Sequence, residues 1–261
     1  MSNSQNPLAL ITGGSSGIGL ELAKIFAENG YDIALSGSSE RVYSAAESLQ
    51  RLGVQAFPHQ SDAATFEGVE SFWSFVSALN RPVDAAALNV GIGIGGAFID
   101  NDLDAELRLI GINISGLVHM AKRVTIHMVK NGKGRILVTS SISATQPTPY
   151  ETVYGPSKAF GFSFAESLRE ELRGTGVTVT ALLPGATDSD FHKNAGMGNT
   201  AIGRTKKNDK REVAKQGFEA LMNDIDHVVG GDAATKQKAI ENRTTPETVK
   251  AAQHAKSARL Q

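Results

Sequence analysis

The sequence contains no cysteine. That excludes a disulfide framework, a thiolate metal site and a cysteine nucleophile. It also lacks an excess of charge: 26 Lys and Arg stand against 27 Asp and Glu, a net charge of −1. A nucleic-acid partner normally requires a basic face to neutralise phosphates, so none is expected. No apolar run approaches the roughly 18 residues that a transmembrane helix needs. No strongly basic amphipathic stretch points to a membrane surface. The segment Met1 to Pro7 is polar, unlike the charged-then-apolar start of a signal peptide. A cytoplasmic location is the expectation. Aromatic residues make up only 6% and give no sign of a ring-stacking pocket. His59, His119, His127, His192, His227 and His254 are scattered, with no ligand pattern on one helix face, so no metal is expected.

What the sequence does have is alternation. Leu8 to Ile11 reads as a short apolar strand, and Ile18, Leu22, Ile25 and Phe26 follow at helical spacing up to Gly30. Strands are then expected at Asp32 to Ser36, Val54 to Pro58, Val83 to Asn89, Arg135 to Ser140 and Val177 to Leu183. Between them come helices around Val42 to Leu49, Phe66 to Leu79, Asp102 to Lys130 and Tyr154 to Arg173. Strands alternating with helices of this length predict an α/β fold, a doubly wound parallel sheet with helices on both faces. A single domain over 1–261 suffices, with enough chain for a large core. Residues 186–208 are polar and dotted with glycine, at the length of an active-site lid. His227 to Val229 is a candidate last strand. Thr245-Pro246-Glu247 reads as a helix start, with a hydroxyl cap and proline in the first turn. The tail, 244–261, is expected as a solvated or subunit-contacting helix.

Two motifs carry chemistry. Thr12-Gly13-Gly14-Ser15-Ser16-Gly17-Ile18-Gly19 lies between the first strand and the first helix. Gly13 permits a sharp turn, Gly17 lets a ligand approach the backbone, and Gly19 lets helix and strand pack closely. The helix N-terminus beyond presents free N–H groups and a positive dipole, which suits a pyrophosphate. The spacing is G-x-x-x-G-x-G rather than the G-x-G-x-x-G of other dinucleotide binders. The second motif is Tyr154-Gly-Pro-Ser-Lys158. Residues four apart share a helix face, so the phenol and the ammonium can meet in one site. A phenol has a pKa of about 10, and a neighbouring cation lowers it. Pro156 is tolerated only in a first helical turn, which puts Tyr154 at the cleft-facing end of its helix.

These residues resemble the short-chain dehydrogenase/reductase family. The match comprises TGGSSGIG after strand one, Leu88-Asn89-Val90-Gly91 after strand four and Asn113 in the long helix. It continues with Ser141 after strand five, YGPSK thirteen residues later, and Pro184-Gly185 after strand six. It runs from about Leu8 to Phe191. The resemblance implies a Rossmann-type fold and an NADP(H)-dependent oxidoreductase that interconverts a carbonyl and a secondary alcohol, a ketone or aldehyde reductase. Within it, Tyr154 is the general acid-base, Lys158 lowers its pKa and binds the nicotinamide ribose, Ser141 bonds the substrate oxygen, and Asn113 holds a relay water. Ser140 is the neighbouring competitor for Ser141 and is read instead as a strand-end hydroxyl. Alternatives are a catalytically idle dinucleotide-binding sensor or scaffold, and an epimerase or dehydratase using the same site.

The cofactor contacts implied are Gly13, Ser15, Ser16, Gly17, Ile18, Gly19, Asn89, Gly91, Tyr154, Lys158, Pro184 and Gly185. Thr187 joins them, with Ser189 also in range of the nicotinamide carboxamide. At the end of strand two, Ser36-Gly37-Ser38-Ser39-Glu40-Arg41 has no acid at the strand tip. Ser15, Ser16, Ser38 and Arg41 together suit a 2′-phosphate, so NADP(H) is preferred over NAD(H). The alternative leaves Arg41 as a solvated first-turn residue and a site that accepts either cofactor. Asp62 contacts the adenine amino group, caps the helix that follows, or does both. The family's usual Asn-Asn-Ala-Gly is Leu-Asn-Val-Gly here. The Gly-rich last strand is replaced by Asp226-His227-Val228-Val229-Gly230. His192, Phe191 and Met197 are lid residues within reach of a substrate. Trp73, His119 and His127 read as packing or interface residues. A homodimer or homotetramer and a small-molecule carbonyl or alcohol substrate complete the expectation.

Overall fold

The computed structural model describes residues 6–259. Seven strands form one wholly parallel sheet: β1 (Leu8–Thr12), β2 (Asp32–Gly37), β3 (Ala56–Gln60), β4 (Val83–Leu88), β5 (Gly134–Thr139), β6 (Val177–Pro184) and β7 (His227–Gly230). Their order is β3-β2-β1-β4-β5-β6-β7. The chain winds outward from β1 to β3, returns, and winds the other way from β4. The crevice above the strand ends at β1 and β4 is therefore the topological switch point, where ligands bind in such sheets.

The central strands are apolar throughout because both faces are covered. β1 is buried at every position, and so are Ala85, Ala86 and Ala87 of β4. One face packs under α1 (Gly17–Glu28), α2 (Arg41–Gln50) and α9 (Lys210–Met222), through Leu22, Phe26, Leu49 and Phe218. The other packs under α3 (Phe66–Ser77), α5 (Leu117–Lys130) and α6 (Tyr154–Glu171), through Phe72, Met120, Val124 and Ala165. At the far end of the sheet Asp32 and Arg81 form a buried ion pair at 2.9 Å. Asp32 Oδ1 also accepts from Gln55 N, tying the starts of β2 and β3.

Several boundaries depart from the pattern expected. The third strand is 56–60 rather than 54–58, and Pro58 is tolerated because β3 is an edge strand. The long helix of 102–130 is broken into α4 (Leu103–Ile110), a π-helical segment Gly111–Gly116, and α5. Asn113 lies in that segment, and such widened turns cluster at functional sites. A helix at Ala233–Glu241, α10, had no apolar periodicity to announce it; of its residues only Ala239 is buried. The final helix, α11, is Glu247–Ala258. Thr245 does not cap it. Its hydroxyl bonds back to Glu241 O at 2.8 Å, and Pro246 holds the cap position. Nor is α11 a solvated helix: Lys250, His254 and Ala258 form a buried stripe facing the rest of the chain. No helix among the described residues is long and apolar enough to cross a membrane.

Candidate active site

The turn after β1 leaves a helix end open. Gly13 and Gly17 adopt left-handed backbone angles, φ +67° and +55°, which an L side chain rarely takes. A methyl group on Gly19 would sit 2.1 Å from the Gly13 carbonyl oxygen and 2.5 Å from Asn89 Nδ2. On Gly17 it would meet only Ser189 Cβ, at 3.6 Å. The close-packing glycine and the open glycine are thus distinct. α3, α4, α9 and α10 each begin with a side-chain cap, from Thr65, Asp102, Asp209 and Asp232. α1 has none: Ser16 makes no cap hydrogen bond, so the N–H groups around Gly17 and Ile18 face the cleft without a side-chain acceptor. An anionic group fits this cradle.

Around it the chain is pinned by short bonds. Thr12 Oγ1 accepts from Asn89 N at 3.0 Å and Val90 N at 3.2 Å, and Asn89 Nδ2 donates to Gly13 O. A small pocket beside the ends of β1, β2 and β4 is walled by Thr12, Ser36, Ser61, Ala63, Leu88 and Val90 and reaches the α3 and α5 layer at Phe72 and Met120. At the β2 tip Gly37 lies under Ser15 Oγ, while Ser38 and Arg41 are exposed and Arg41 Nε reaches Ser39 Oγ at 3.5 Å. Ser15, Ser38 and Arg41 therefore border one patch with no carboxylate at the strand end.

Asp62 does not cap α3; Thr65 does, accepting from Gly68 N at 3.0 Å. The Asp62 carboxylate is gripped by both Arg108 nitrogens at 3.0 Å, which hold it below the usual carboxylate range, and it accepts from Ala64 N. Pro184 ends β6 in the buried layer, and Gly185 N donates to Gly230 O. The Thr187 hydroxyl is spent on Gly185 O at 2.8 Å. Ser189 Cβ lies beside the Gly17 turn, and its hydroxyl donates to Thr187 O at 3.5 Å and accepts from Phe191 N at 3.3 Å.

The four residues of the Tyr-Lys set converge where β4, β5 and α6 meet. Tyr154 opens α6 and is buried, as are Ser141, Asn113 and Lys158. Asn113 clamps the loop after β4: Oδ1 accepts from Ile92 N, and Nδ2 donates to Ile92 O and Ser157 Oγ, each at 2.9 Å. Lys158 Nζ donates to Thr139 O at 3.1 Å and lies 5.9 Å from the Tyr154 ring centroid. A Cβ on Gly91 would come within 2.7 Å of that ammonium, so the loop glycine is what admits it. Ser140 Oγ donates to Lys158 O at 2.7 Å, a buried structural bond. The Ser141 hydroxyl, by contrast, stays beside the phenol and accepts only from Ser143 N.

The electrostatics differ from the sequence expectation in one respect. Burial raises the Tyr154 phenol above its ordinary value, the Ser141 hydroxyl works against that, and the charge of Glu151 adds to it. Lys158 is itself lowered by burial, to about 8. In the protein alone the phenol is held as an acid rather than poised as a phenolate.

The segment 187–208 arches over this site. Thr187 and Asn208 pair at its base, and two short helices, α7 (Phe191–Asn194) and α8 (Ala201–Arg204), lie between. The Phe191 ring packs on Tyr154 with centroids 5.1 Å apart. Phe191 and Met197 fill the space left by Gly93 and Gly95 in the loop after β4. Tyr150 holds a left-handed backbone, φ +66°, next to these residues, and its carbonyl accepts from Gly96 N. A non-glycine residue in that region stores strain, a common feature near working sites. Sequence reasoning placed a helix at the C-terminal end but missed that α11 reaches this part of the molecule. His254 reaches Glu151, and Lys250 reaches the Thr145 and Asn242 carbonyls. Their four-residue spacing was the available signal, but two of the three stripe residues are polar and hydrophobic periodicity passes over them.

His119 and His127 are packing residues: His119 bonds Glu70, and His127 Nε2 accepts from Val83 N at 3.1 Å. Trp73 stacks edge-on against His127 and packs on the core. Glu166, Asp226 and His227 gather three ligand-type side chains near the N-terminal end of β7, away from the strand ends that form the cleft.

Residues 7–200 match the short chain dehydrogenase family. The chain is 34% identical over 193 residues to a probable oxidoreductase, EphD, of Mycobacterium tuberculosis; this covers 73% of the chain and 32% of that protein. The chain therefore spans about a third of that relative's length. Among solved structures, a short-chain dehydrogenase from Sphingobium yanoikuyae in complex with NADPH superposes with a TM-score of 0.81 at 25% identity, over 91% of this chain and 93% of that one. A short-chain dehydrogenase/reductase from Burkholderia phymatum in complex with NAD shares the fold at 21% identity and a TM-score of 0.80, over 94% and 98%. This chain belongs to the short-chain dehydrogenase/reductase family of oxidoreductases.

Proposed function

We propose that the chain is an NADP(H)-dependent reductase that converts a ketone or aldehyde to an alcohol, and runs the reverse. The observation that carries this reading is the convergence of buried Ser141, Tyr154 and Lys158 beside the uncapped Gly13–Gly19 cradle. The cradle amides would hold the pyrophosphate. Lys158, on the Gly91 side, would hold the nicotinamide ribose, with Ser189 or Thr187 near the carboxamide. When bound, the nicotinamide supplies or accepts the hydride.

The chain's own residues handle the proton. Ser141 Oγ donates a hydrogen bond to the carbonyl oxygen and fixes it beside Tyr154. As negative charge develops there, the Tyr154 hydroxyl gives up its proton to that oxygen. The Lys158 ammonium offsets the phenolate left behind. Asn113 holds the loop after β4 and lines the path by which solvent restores the proton. Phe191 excludes water from the face of the phenol.

NADP(H) is favoured over NAD(H) because Ser15, Ser38 and Arg41 border the β2 tip with no acid among them. Exposed Phe66, Leu103, Leu107 and Phe160 on α3, α4 and α6 support a homodimer or homotetramer. The test is oxidation of NADPH and NADH against a panel of ketones and aldehydes, with Tyr154→Phe beside the wild type. Loss of a positioned acid typically costs about 10²–10⁴ in rate, so kcat should fall by that factor while NADPH still binds. Tight NADPH binding without turnover on any carbonyl compound would favour an idle dinucleotide-binding role or the epimerase and dehydratase chemistries. Failure to bind either cofactor would sink the reading.

A further inference from the structure

Ser141 and Tyr154 must stand side by side, yet they lie thirteen positions apart. The stretch between them holds Tyr150 in its left-handed conformation, φ +66°, and such a residue persists only where its surroundings fix it. At the Tyr154 end the fixing begins with Glu151. α6 has no side-chain cap, and Gly155 N donates instead to Glu151 O at 3.2 Å. Thr148 Oγ1 donates to the same carbonyl at 2.9 Å. The Glu151 backbone therefore closes the first turn of α6, the turn that carries Tyr154. Its carboxylate is anchored on α11: Oε2 meets His254 Nε2 at 3.1 Å, with the two side chains 4% and 2% exposed. Asn242 Nδ2 donates to Gln146 Oε1 at 3.3 Å, and Gln146 Nε2 faces His254 Nδ1 at 3.2 Å. An amide nitrogen only donates, so Nδ1 accepts and Nε2 carries the proton that Glu151 receives.

The Ser141 end is held from the same side. Ser141 caps the single turn Ile142–Thr145, its Oγ accepting from Ser143 N at 3.1 Å. Thr145 closes that turn, and its carbonyl accepts from Lys250 Nζ of α11 at 3.2 Å. The Lys250 side chain is 5% exposed and also bonds Asn242 O at 3.0 Å. Asn242, just after α10, donates to Thr145 Oγ1 at 2.8 Å. Between the two ends the Arg259 guanidinium lies 5.9 Å from the Tyr150 ring centroid. Buried ionic and polar ties return little net stability compared with apolar side chains of the same volume. What they supply is direction, since each donor must stay aimed at its acceptor. Here they converge on the stretch that separates Ser141 from Tyr154.

We propose that His254 and Lys250 are positioning residues for the carbonyl chemistry. His254 sets Tyr154 through Glu151, and Lys250 sets Ser141 through Thr145. This rests on the carbonyl-reductase reading. The α11 helix is thereby a working part of the active site although it lies outside the region matched to the family.

The test uses the full chain and a ketone that the wild type reduces, with kcat expressed per NADPH-binding site so that unfolded protein is not counted. His254→Asn keeps an acceptor towards Gln146 but is too short for Glu151. Lys250→Met keeps the stem and removes the donor to Thr145. A displacement of about 1 Å can cost about 10²-fold, so each variant should lose about tenfold or more in kcat, with NADPH affinity within about twofold of wild type. Glu151→Leu should lose as much as His254→Asn, and the two together no more than either alone, because they break one link. Glu151→Gln keeps an acceptor for His254 and should lose much less. Leu49→Ala, a core change at the end of α2 away from the cleft, should lower Tm with kcat per site unchanged. Lowered Tm with kcat per site within about twofold in both His254→Asn and Lys250→Met would overturn the assignment and leave carbonyl reduction standing. A loss in one of them alone would keep that residue and strike the other. Should His254→Asn fail to fold, Lys250→Met decides. Absence of wild-type turnover on every carbonyl compound would remove the proposed function and the assignment with it.

Discussion

The cofactor cradle and the C-terminal third are built on opposite principles. The cradle is backbone: three glycines, an uncapped helix end and a buried strand, with side chains chiefly bracing the turn. The C-terminal third is side chain. α11 and the segment over Tyr154 share a small apolar cluster of Ala195, Met197 and Ala258 with Tyr150 and Ile202 against it. The remaining ties described there are polar, running through Asn242, Lys250, His254 and Glu151. A backbone cradle serves any ligand with a pyrophosphate. A polar side-chain lattice can be rewritten residue by residue, which suits a part of the molecule that chooses the substrate.

That contrast can be broken in the cradle first, where the expected effect is largest. Gly19→Ala places a methyl 2.1 Å from the Gly13 carbonyl oxygen, a backbone atom that cannot swing aside. Overpacking of this kind costs about 1–3 kcal/mol, and here it also displaces the turn. Calorimetry should find cofactor affinity lost, with a lowered Tm. Retained affinity would show that the turn relaxes.

The matching change in the C-terminal third is smaller. Asn242→Ala removes the donor to Thr145 Oγ1 and Gln146 Oε1 while leaving Tyr154 and the cradle untouched. Net loss of a hydrogen bond is about 0.5–1.5 kcal/mol. The expected outcome is a modest drop in denaturation midpoint with NADPH affinity unchanged. An equal loss of cofactor binding would mean that the two regions are not energetically separate.

A third difference is a pH dependence. Lys158 is lowered from 10.5 to about 8 in the folded chain. Between those values the unfolded chain binds more protons than the folded one, so stability rises with pH across that window. Below about pH 8 the buried ammonium carries its full cost. Denaturant titrations of the cofactor-free protein from pH 7.5 to 9.5 should show this rise, and Lys158→Met should flatten it. A wild-type curve as flat as the variant's would place the lysine in a wetter setting.

Legibility in the sequence followed the same divide. The parallel sheet and the two helical layers were readable because buried parallel strands are continuous apolar runs and helices show their stripe. The positions of Tyr154, Lys158, Ser141 and Asn113 in one place followed from motif order on that fold. The π-helical segment at Asn113 was not readable, because its apolar residues keep a helical rhythm through the widened turn. The cap reading of Asp62 failed, since an acid before a helix is an ordinary cap and only the fold brings Arg108 to it from 46 residues away. His254 and Glu151 are 103 residues apart, and a single buried pair leaves no periodic trace.

The bridge between Thr187 and Asn208 has a consequence for how this architecture diversifies. It closes the arch at its base, so the intervening residues enter and leave the body of the molecule at almost one point. Such a stretch behaves as an interchangeable cassette: it can lengthen, shorten or be exchanged while the sheet registers nothing. Grafting experiments should treat residues 187–208 as the unit of transfer and carry α11 along with it.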